Sequence, residues 1–247
     1  MKTLAVYNLK GGVGKTAASV NLAYEAAQSG LKTLLWDLDP QGASSFYFRI
    51  KPRIKTDVKK LLKKTHKAQD SIKATDYDNL DLLPADFAYR EMDLALDDLK
   101  HSRKRFLPLV EAVSEEYDLF IIDCPPGLTL VNENLMIASD WIAVPVIPTP
   151  LSLRAYETMA DHAKKLGISR DRFLPFFSMI DRRKKLHRDV VESFVAAHKA
   201  LASGIPYLSV VEQMGEARAP VAAYAGKTQA AAAYRALFNE IRGLLTA

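Results

Sequence analysis

The chain has 247 residues, 49% of them hydrophobic, and 34 Lys and Arg against 29 Asp and Glu give a formal net charge of +5. That is enough apolar material for one substantial core, and no low-complexity stretch divides it, so a single domain over residues 1–247 is expected. The lone cysteine, Cys124, excludes an intramolecular disulfide framework; no apolar stretch reaches the roughly 20 residues of a bilayer span, and the short run after Lys2 does not read as a signal peptide, so a cytoplasmic protein is expected.

In chain order, short apolar runs alternate with longer amphipathic segments. Strands are expected at Leu4–Tyr7, Thr33–Trp36, Leu80–Leu83, Leu119–Ile122, Ile142–Ile147 and Phe173–Met179. Most are apolar on both faces, as buried parallel strands are. Helical patterns fill the gaps, so the crossovers are right-handed and the fold class is α/β: a doubly wound, mostly parallel sheet with helices on both faces. Ligands of such sheets bind beyond the carboxyl ends of the strands. Residues 8–16, 37–42 and 123–127 therefore fall on one rim.

Between the first strand and an alanine-rich helical pattern lies Asn8-Leu9-Lys10-Gly11-Gly12-Val13-Gly14-Lys15-Thr16, a phosphate-binding loop. Its glycines let successive N–H groups turn toward phosphate oxygens, and the helix beginning near Gly14 directs its positive end at the same anion. Lys15 is placed to neutralise the β- and γ-phosphates, and Thr16 has its hydroxyl where such loops hold Mg²⁺. A Mg²⁺-bound nucleoside triphosphate is expected rather than a dinucleotide. The candidate nucleotide-binding residues are Lys10, Gly11, Gly12, Val13, Gly14, Lys15, Thr16 and Ala17. Asp123 ends an apolar strand, where a carboxylate can hold a Mg²⁺-bound water. Cys124 beside it reads as a small buried hydrophobe.

The loop has Leu9 where the ordinary motif has glycine, followed by an extra lysine, Lys10. With Asp37-Leu38-Asp39-Pro40-Gln41-Gly42, Leu80-Asp81-Leu82-Leu83-Pro84-Ala85 and Tyr117 to Gly127 following in order, the chain resembles the ParA/MinD family of deviant Walker A ATPases. The likeness runs on through Ala138–Val146 to Gly215-Glu216-Ala217 and Ala230–Tyr234, and is weakest between Phe46 and Asn79. The resemblance implies ATP and Mg²⁺ as ligands and a slow, partner-stimulated hydrolysis to ADP and phosphate. It implies that Lys10 reaches across a homodimer to the partner's nucleotide, that Lys10, Lys15 and Asp39 are catalytic, with Asp39 helping to position or activate the attacking water, and that Asp37 lies near a metal site with Thr16 and Asp123. It further implies a ParA-type ATPase, nucleoid-associated, that positions a plasmid, a chromosome or a protein cluster with the help of a ParB-like or cargo-adaptor protein.

Three basic clusters bear on the partner. Arg49, Lys51, Arg53, Lys55, Lys59, Lys60, Lys63, Lys64 and Lys67 surround Ile54, Val58, Leu61 and Leu62, whose helical spacing suggests a short helix with a buried stripe and a basic face. His101–Arg105 is a second. The third, Arg182, Arg183, Lys184, Lys185 and Arg188, is the candidate DNA-binding surface, for sequence-independent contact with phosphates doubled by dimerisation. No helix-turn-helix precedes the phosphate loop, so operator reading is not expected. Partition ATPases tend to carry arginines before Glu216-Ala217; this chain reads Leu208 to Gly215 without them, so Arg218 joins the candidate DNA set. Ala17 stands where a threonine is often found, removing a phosphate hydrogen bond worth about 1 kcal/mol.

Two other readings are a MinD-like membrane-associated ATPase and a metabolic P-loop enzyme. The first would use the C-terminal stripe Leu237, Phe238, Ile241, Leu244 and Leu245, but Arg235 and Arg242 against Glu240 are little basic charge for a membrane surface, so a stripe packed on the sheet is expected. The second would need an acceptor pocket, for which the sequence offers no motif. An iron–sulfur reductase would need more than one cysteine.

Overall fold

A computed structural model describes residues 1–55, 57–63 and 66–245, and of residues 66 and 67 the backbone alone. Seven strands, β1 (Lys2–Val6), β2 (Thr33–Asp37), β3 (Lys73–Ala74), β4 (Leu80–Leu83), β5 (Leu119–Asp123), β6 (Trp141–Val146) and β7 (Phe173–Phe177), form one sheet in the order β3-β4-β2-β5-β1-β6-β7. Every pairing is parallel except β3 with β4. Parallel strands need covered faces, and the residues comply: β2 and β5 are buried at every position.

Alternation within each strand sorts side chains between two cores. Ala5, Leu34, Trp36, Phe120 and Ile122 face one, where Trp36 stacks on Phe120 with ring centroids 6.2 Å apart and meets Phe106 at 5.2 Å. Leu4, Val6, Leu35, Leu119 and Ile121 face the other, beneath α1 (Lys15–Gln28) and the helix Gln229–Leu245. In that C-terminal helix Leu237, Phe238, Ile241 and Leu245 are buried and Leu244 is half-buried, so the apolar stripe is an interior packing face. Among the described residues no helix is long and apolar enough to cross a membrane.

The sequence misplaces some boundaries. β3 escapes notice because Lys73 and Ala74 are both exposed and carry no apolar signal. The last strand stops at Phe177 because Met179 adopts a left-handed backbone, φ 56°, and Ile180 then pairs with Pro206 as an isolated bridge. The expected basic helix forms only over α3 (Val58–Lys63); Ile54 is buried ahead of it in a loop, Val58, Leu61 and Leu62 are buried within it, and Lys59, Lys60 and Lys63 are exposed. Lys64 and the Lys67 side chain lie outside the described residues.

Candidate nucleotide-binding site

β1, β5 and β2 are adjacent, and their register aligns Val6 with Asp123 and Asp123 with Asp37. The phosphate loop, both carboxylates and the 37–42 turn therefore leave the sheet at one level. Asn8 anchors the loop: fully buried, it donates from Nδ2 to the Pro145 carbonyl at 2.8 Å and accepts the Lys10 N–H on Oδ1 at 2.9 Å. The Tyr7 hydroxyl donates to the Gly127 carbonyl at 2.7 Å and the Gly127 N–H to the Leu9 carbonyl at 3.0 Å, tying the segment after β5 to the loop.

Gly14 has φ 91°, and a Cβ there would stand 2.8 Å from Ser178 Oγ, so only glycine fits. It is the N-cap of α1 and supplies no side-chain cap, which leaves the first-turn N–H groups for an anion. Val13 is buried beneath the loop, while Gly11 and Gly12 are exposed on it. Lys15 is only 6% exposed and its Nζ donates to the Lys10 carbonyl at 2.9 Å. Burial lowers its pKa, while the charge of Asp123 opposes the shift. The Lys10 ammonium makes no hydrogen bond or ion pair among the described residues. Ala17 contributes its carbonyl, which accepts from Asn21 Nδ2 at 2.7 Å.

The metal-site candidates converge. Asp123 is fully buried and accepts from Ser44 Oγ at 2.7 Å and from Ser19 Oγ at 3.1 Å; burial raises its pKa, and these hydroxyls together with that of Thr16 restrain the rise. Asp37, also fully buried, accepts the N–H and the hydroxyl of Ser45 on Oδ2, each at 2.7 Å, while its Oδ1 is buried without a partner among the described residues. Burial and the charge of Asp123 raise the Asp37 carboxyl well above the usual range. Two in-register carboxylates, one of them with a buried unpartnered oxygen, and the Thr16 hydroxyl form an oxygen-only donor set, which suits a hard divalent cation.

Asp39 is set apart from that pair. Half-buried on the turn, it accepts the Gln41 N–H on Oδ1 at 2.9 Å, and its carbonyl accepts the Gly42 N–H at 2.9 Å. Its Oδ2 accepts no hydrogen bond among the described residues. Cys124 is buried, with its thiol pushed up by burial. Sequence reasoning missed Ser19, Ser44 and Ser45. The signal available was Ser44-Ser45 after the turn, but paired small polar residues at a helix start ordinarily read as caps.

The basic clusters divide by how their side chains are held. Arg182, Arg183, Lys184, Lys185 and Arg188 are all exposed around the start of the helix Lys185–Ala197. Arg183 turns onto Asp181, at 2.9 and 3.0 Å, and Arg188 donates to the Arg182 carbonyl at 2.8 Å. The Arg182, Lys184 and Lys185 side chains make no hydrogen bond or ion pair among the described residues. Arg218 is half-buried: its guanidinium lies 4.5 Å over the Phe46 ring, and its Nε donates to the Phe46 carbonyl at 3.2 Å. In the second cluster Arg103 pairs with Glu133 at 2.6 Å, an intramolecular tie.

Known proteins resemble this chain in sequence and fold. The AAA_31 family model, an AAA domain, matches residues 1–173. The sporulation initiation inhibitor protein Soj of Bacillus subtilis is 40% identical over 146 residues, 59% of this chain, which spans only 58% of that relative's length. The chromosome-partitioning ATPase Soj of Treponema pallidum is 29% identical over 246 residues, 97% of this chain and 96% of that protein. Among solved structures, cobyrinic acid a,c-diamide synthase from Mycobacterium smegmatis, with bound ATP analog and magnesium, has a TM-score of 0.82 at 25% identity over 97% of this chain and 93% of that one.

Proposed function

The chain belongs to the AAA_31 family, in its ParA/MinD branch of partition and positioning ATPases, and from that premise we propose that its ATP-bound form is a homodimer that binds DNA without sequence preference. The observation that carries this reading is the contrast between two lysines of one loop. Lys15 is buried and folded onto its own loop, whereas Lys10 presents an ammonium with no partner among the described residues.

The chain hydrolyses ATP to ADP and phosphate. Lys15, the N–H groups from Gly11 to Gly14 and the start of α1 cradle the phosphates. Thr16, Asp37 and Asp123 are the residues that would hold Mg²⁺, which when bound neutralises charge on the β- and γ-phosphate oxygens. Asp39 orients the attacking water through the carboxylate oxygen its own turn leaves free. Lys10 contacts the nucleotide of the partner protomer, so ATP is part of the interface and loss of the γ-phosphate shifts the population to monomers. Arg182, Lys184 and Lys185, with Arg183 and Arg188 beside them, meet DNA phosphates, and Arg218, stacked on Phe46, is a separate candidate contact; a ParB-like or cargo-adaptor protein accelerates hydrolysis and releases the dimer from the nucleoid.

One observation favours a second reading. The ATP-analog-bound diamide synthase shares the fold at 25% identity. A small-molecule enzyme of that kind would turn over ATP only with an acceptor. The buried C-terminal stripe weighs against a membrane-associated one.

The deciding experiment is light scattering of wild type and Lys10→Ala with ATP and with ADP. Wild type is expected to dimerise with ATP and to be monomeric with ADP, and Lys10→Ala to bind ATP yet stay monomeric. Equal dimerisation by both would remove the cross-dimer role of Lys10.

A further inference from the structure

Ser44 and Ser45 open α2 (Ala43–Tyr47), directly after the 39–42 turn. They make no cap for that helix, whose N-cap is Gly42 at φ 66° without a side-chain hydrogen bond. Their hydroxyls instead serve two different strands. Ser44 Oγ donates to Asp123 on β5 and Ser45 Oγ to Asp37 on β2, each at 2.7 Å, and both serines are fully buried. Successive residues of a helix point about 100° apart, and Asp37 and Asp123 stand in register on adjacent strands, so neighbouring residues of one turn reach both carboxylates.

The Ser45 hydroxyl also accepts the Ala85 N–H at 3.0 Å, which holds it in place where it donates to Asp37. With the Ser45 N–H and O–H both on Oδ2, Asp37 is left with Oδ1 bare and buried. At its far end α2 is held by Arg218, which stacks on Phe46 and donates to its carbonyl, while Arg49 donates to the Arg218 carbonyl at 2.7 Å.

We propose that Ser44 and Ser45 are positioning residues that aim the Asp123 and Asp37 carboxylates at the divalent cation, so that α2 couples the Asp39 turn to the metal site. The inference rests on the nucleotide-site reading above. Groups that orient metal ligands tune affinity without touching the metal. Because both bonds come from one short helix, a displacement of α2 releases both carboxylates together.

The test is binding of a fluorescent N-methylanthraniloyl ADP as a function of Mg²⁺ concentration, and in EDTA, for wild type, the Ser44→Ala/Ser45→Ala pair, Ser45→Thr and Ser71→Ala. The alanine pair is expected to match wild type in EDTA but to need about 10-fold more Mg²⁺ or beyond for half-maximal tightening. Ser45→Thr, which keeps the hydroxyl, should recover the wild-type Mg²⁺ midpoint when paired with native Ser44. Ser71→Ala removes an equally buried hydroxyl, one that accepts the Lys55 N–H at 3.1 Å, and should leave the midpoint unchanged. If the alanine pair does not fold, the single variants carry the same comparison. An unmoved midpoint in folded variants overturns the positioning role, as does an equal loss of binding in EDTA. Absence of Mg²⁺-dependent binding in wild type would instead overturn the nucleotide-site reading itself.

Discussion

The rim formed by β1, β2 and β5 and the surface around Arg182–Arg188 both concentrate charge, yet they constrain it in opposite ways. At the rim, Lys15, Asp37 and Asp123 are buried, and each is held by named partners. On the surface, Arg182, Lys184 and Lys185 lie in water with no partner among the described residues, and Arg183 and Arg188 fold back on their own loop. A buried charge must be paired or neutralised, so its neighbours define its role. An exposed charge costs almost nothing to leave alone, so its position defines little.

The largest effect that sharpens this contrast is at Lys15. Lys15→Ala should lower nucleotide affinity by about 100-fold or more, as expected when a buried, charge-assisted hydrogen bond to phosphate is removed. Calorimetric titration with Mg²⁺–ATP checks it, and affinity within a few-fold of wild type would contradict the assigned role.

The paired carboxylates give a pH signature. Asp37 has its folded-state pKa raised, by burial first and the charge of Asp123 second, so the native protein holds more protons than the unfolded chain. Its contribution to stability is therefore fully present below the ordinary carboxylate range and is lost as pH rises toward neutrality. Asp37→Asn cannot ionise, and its amide oxygen can still accept from Ser45. In chemical denaturation without metal the variant should gain on wild type by about 1–3 kcal/mol between pH 4 and pH 8. A constant difference across that range would mean that the carboxyl is not perturbed, and Mg²⁺ should stabilise wild type but not the variant.

At the surface the effects are smaller and sequence-independent. Replacing Arg182, Arg183, Lys184 and Lys185 with Ala should weaken binding to any duplex and reduce the slope of log K against log salt by about 0.9 for each phosphate no longer neutralised. Fluorescence anisotropy at several salt concentrations measures it. An unchanged slope would move the DNA-binding surface elsewhere, first to the exposed lysines of α3 and its approaches.

The same contrast explains what is legible in the sequence. The phosphate loop can be read because its backbone demands glycine, at Gly14 through both a left-handed φ and contact with Ser178. The sheet can be read because parallel strands buried on both faces leave continuous apolar runs, and β4 is found with both ends correct. β3 cannot, since its residues are exposed at the edge. Ser44 and Ser45 escape notice because a hydroxyl is small and common, and only the three-dimensional register of Asp37 beside Asp123 reveals what it bonds. Arg103 and Arg218 read as surface charge in the sequence; Arg103 is spent on Glu133, and Arg218 is engaged with Phe46 and remains a candidate for DNA only through its exposed part.

The central claim is a DNA-binding state switched by ATP, and the most direct measurement is anisotropy of a random-sequence duplex with ATP, with ADP and without nucleotide, at two salt concentrations, for wild type and Lys10→Ala. Tight, salt-sensitive binding by wild type with ATP alone, and its absence in Lys10→Ala, is the predicted result. Binding that ignores the nucleotide, or that Lys10→Ala retains, would contradict it.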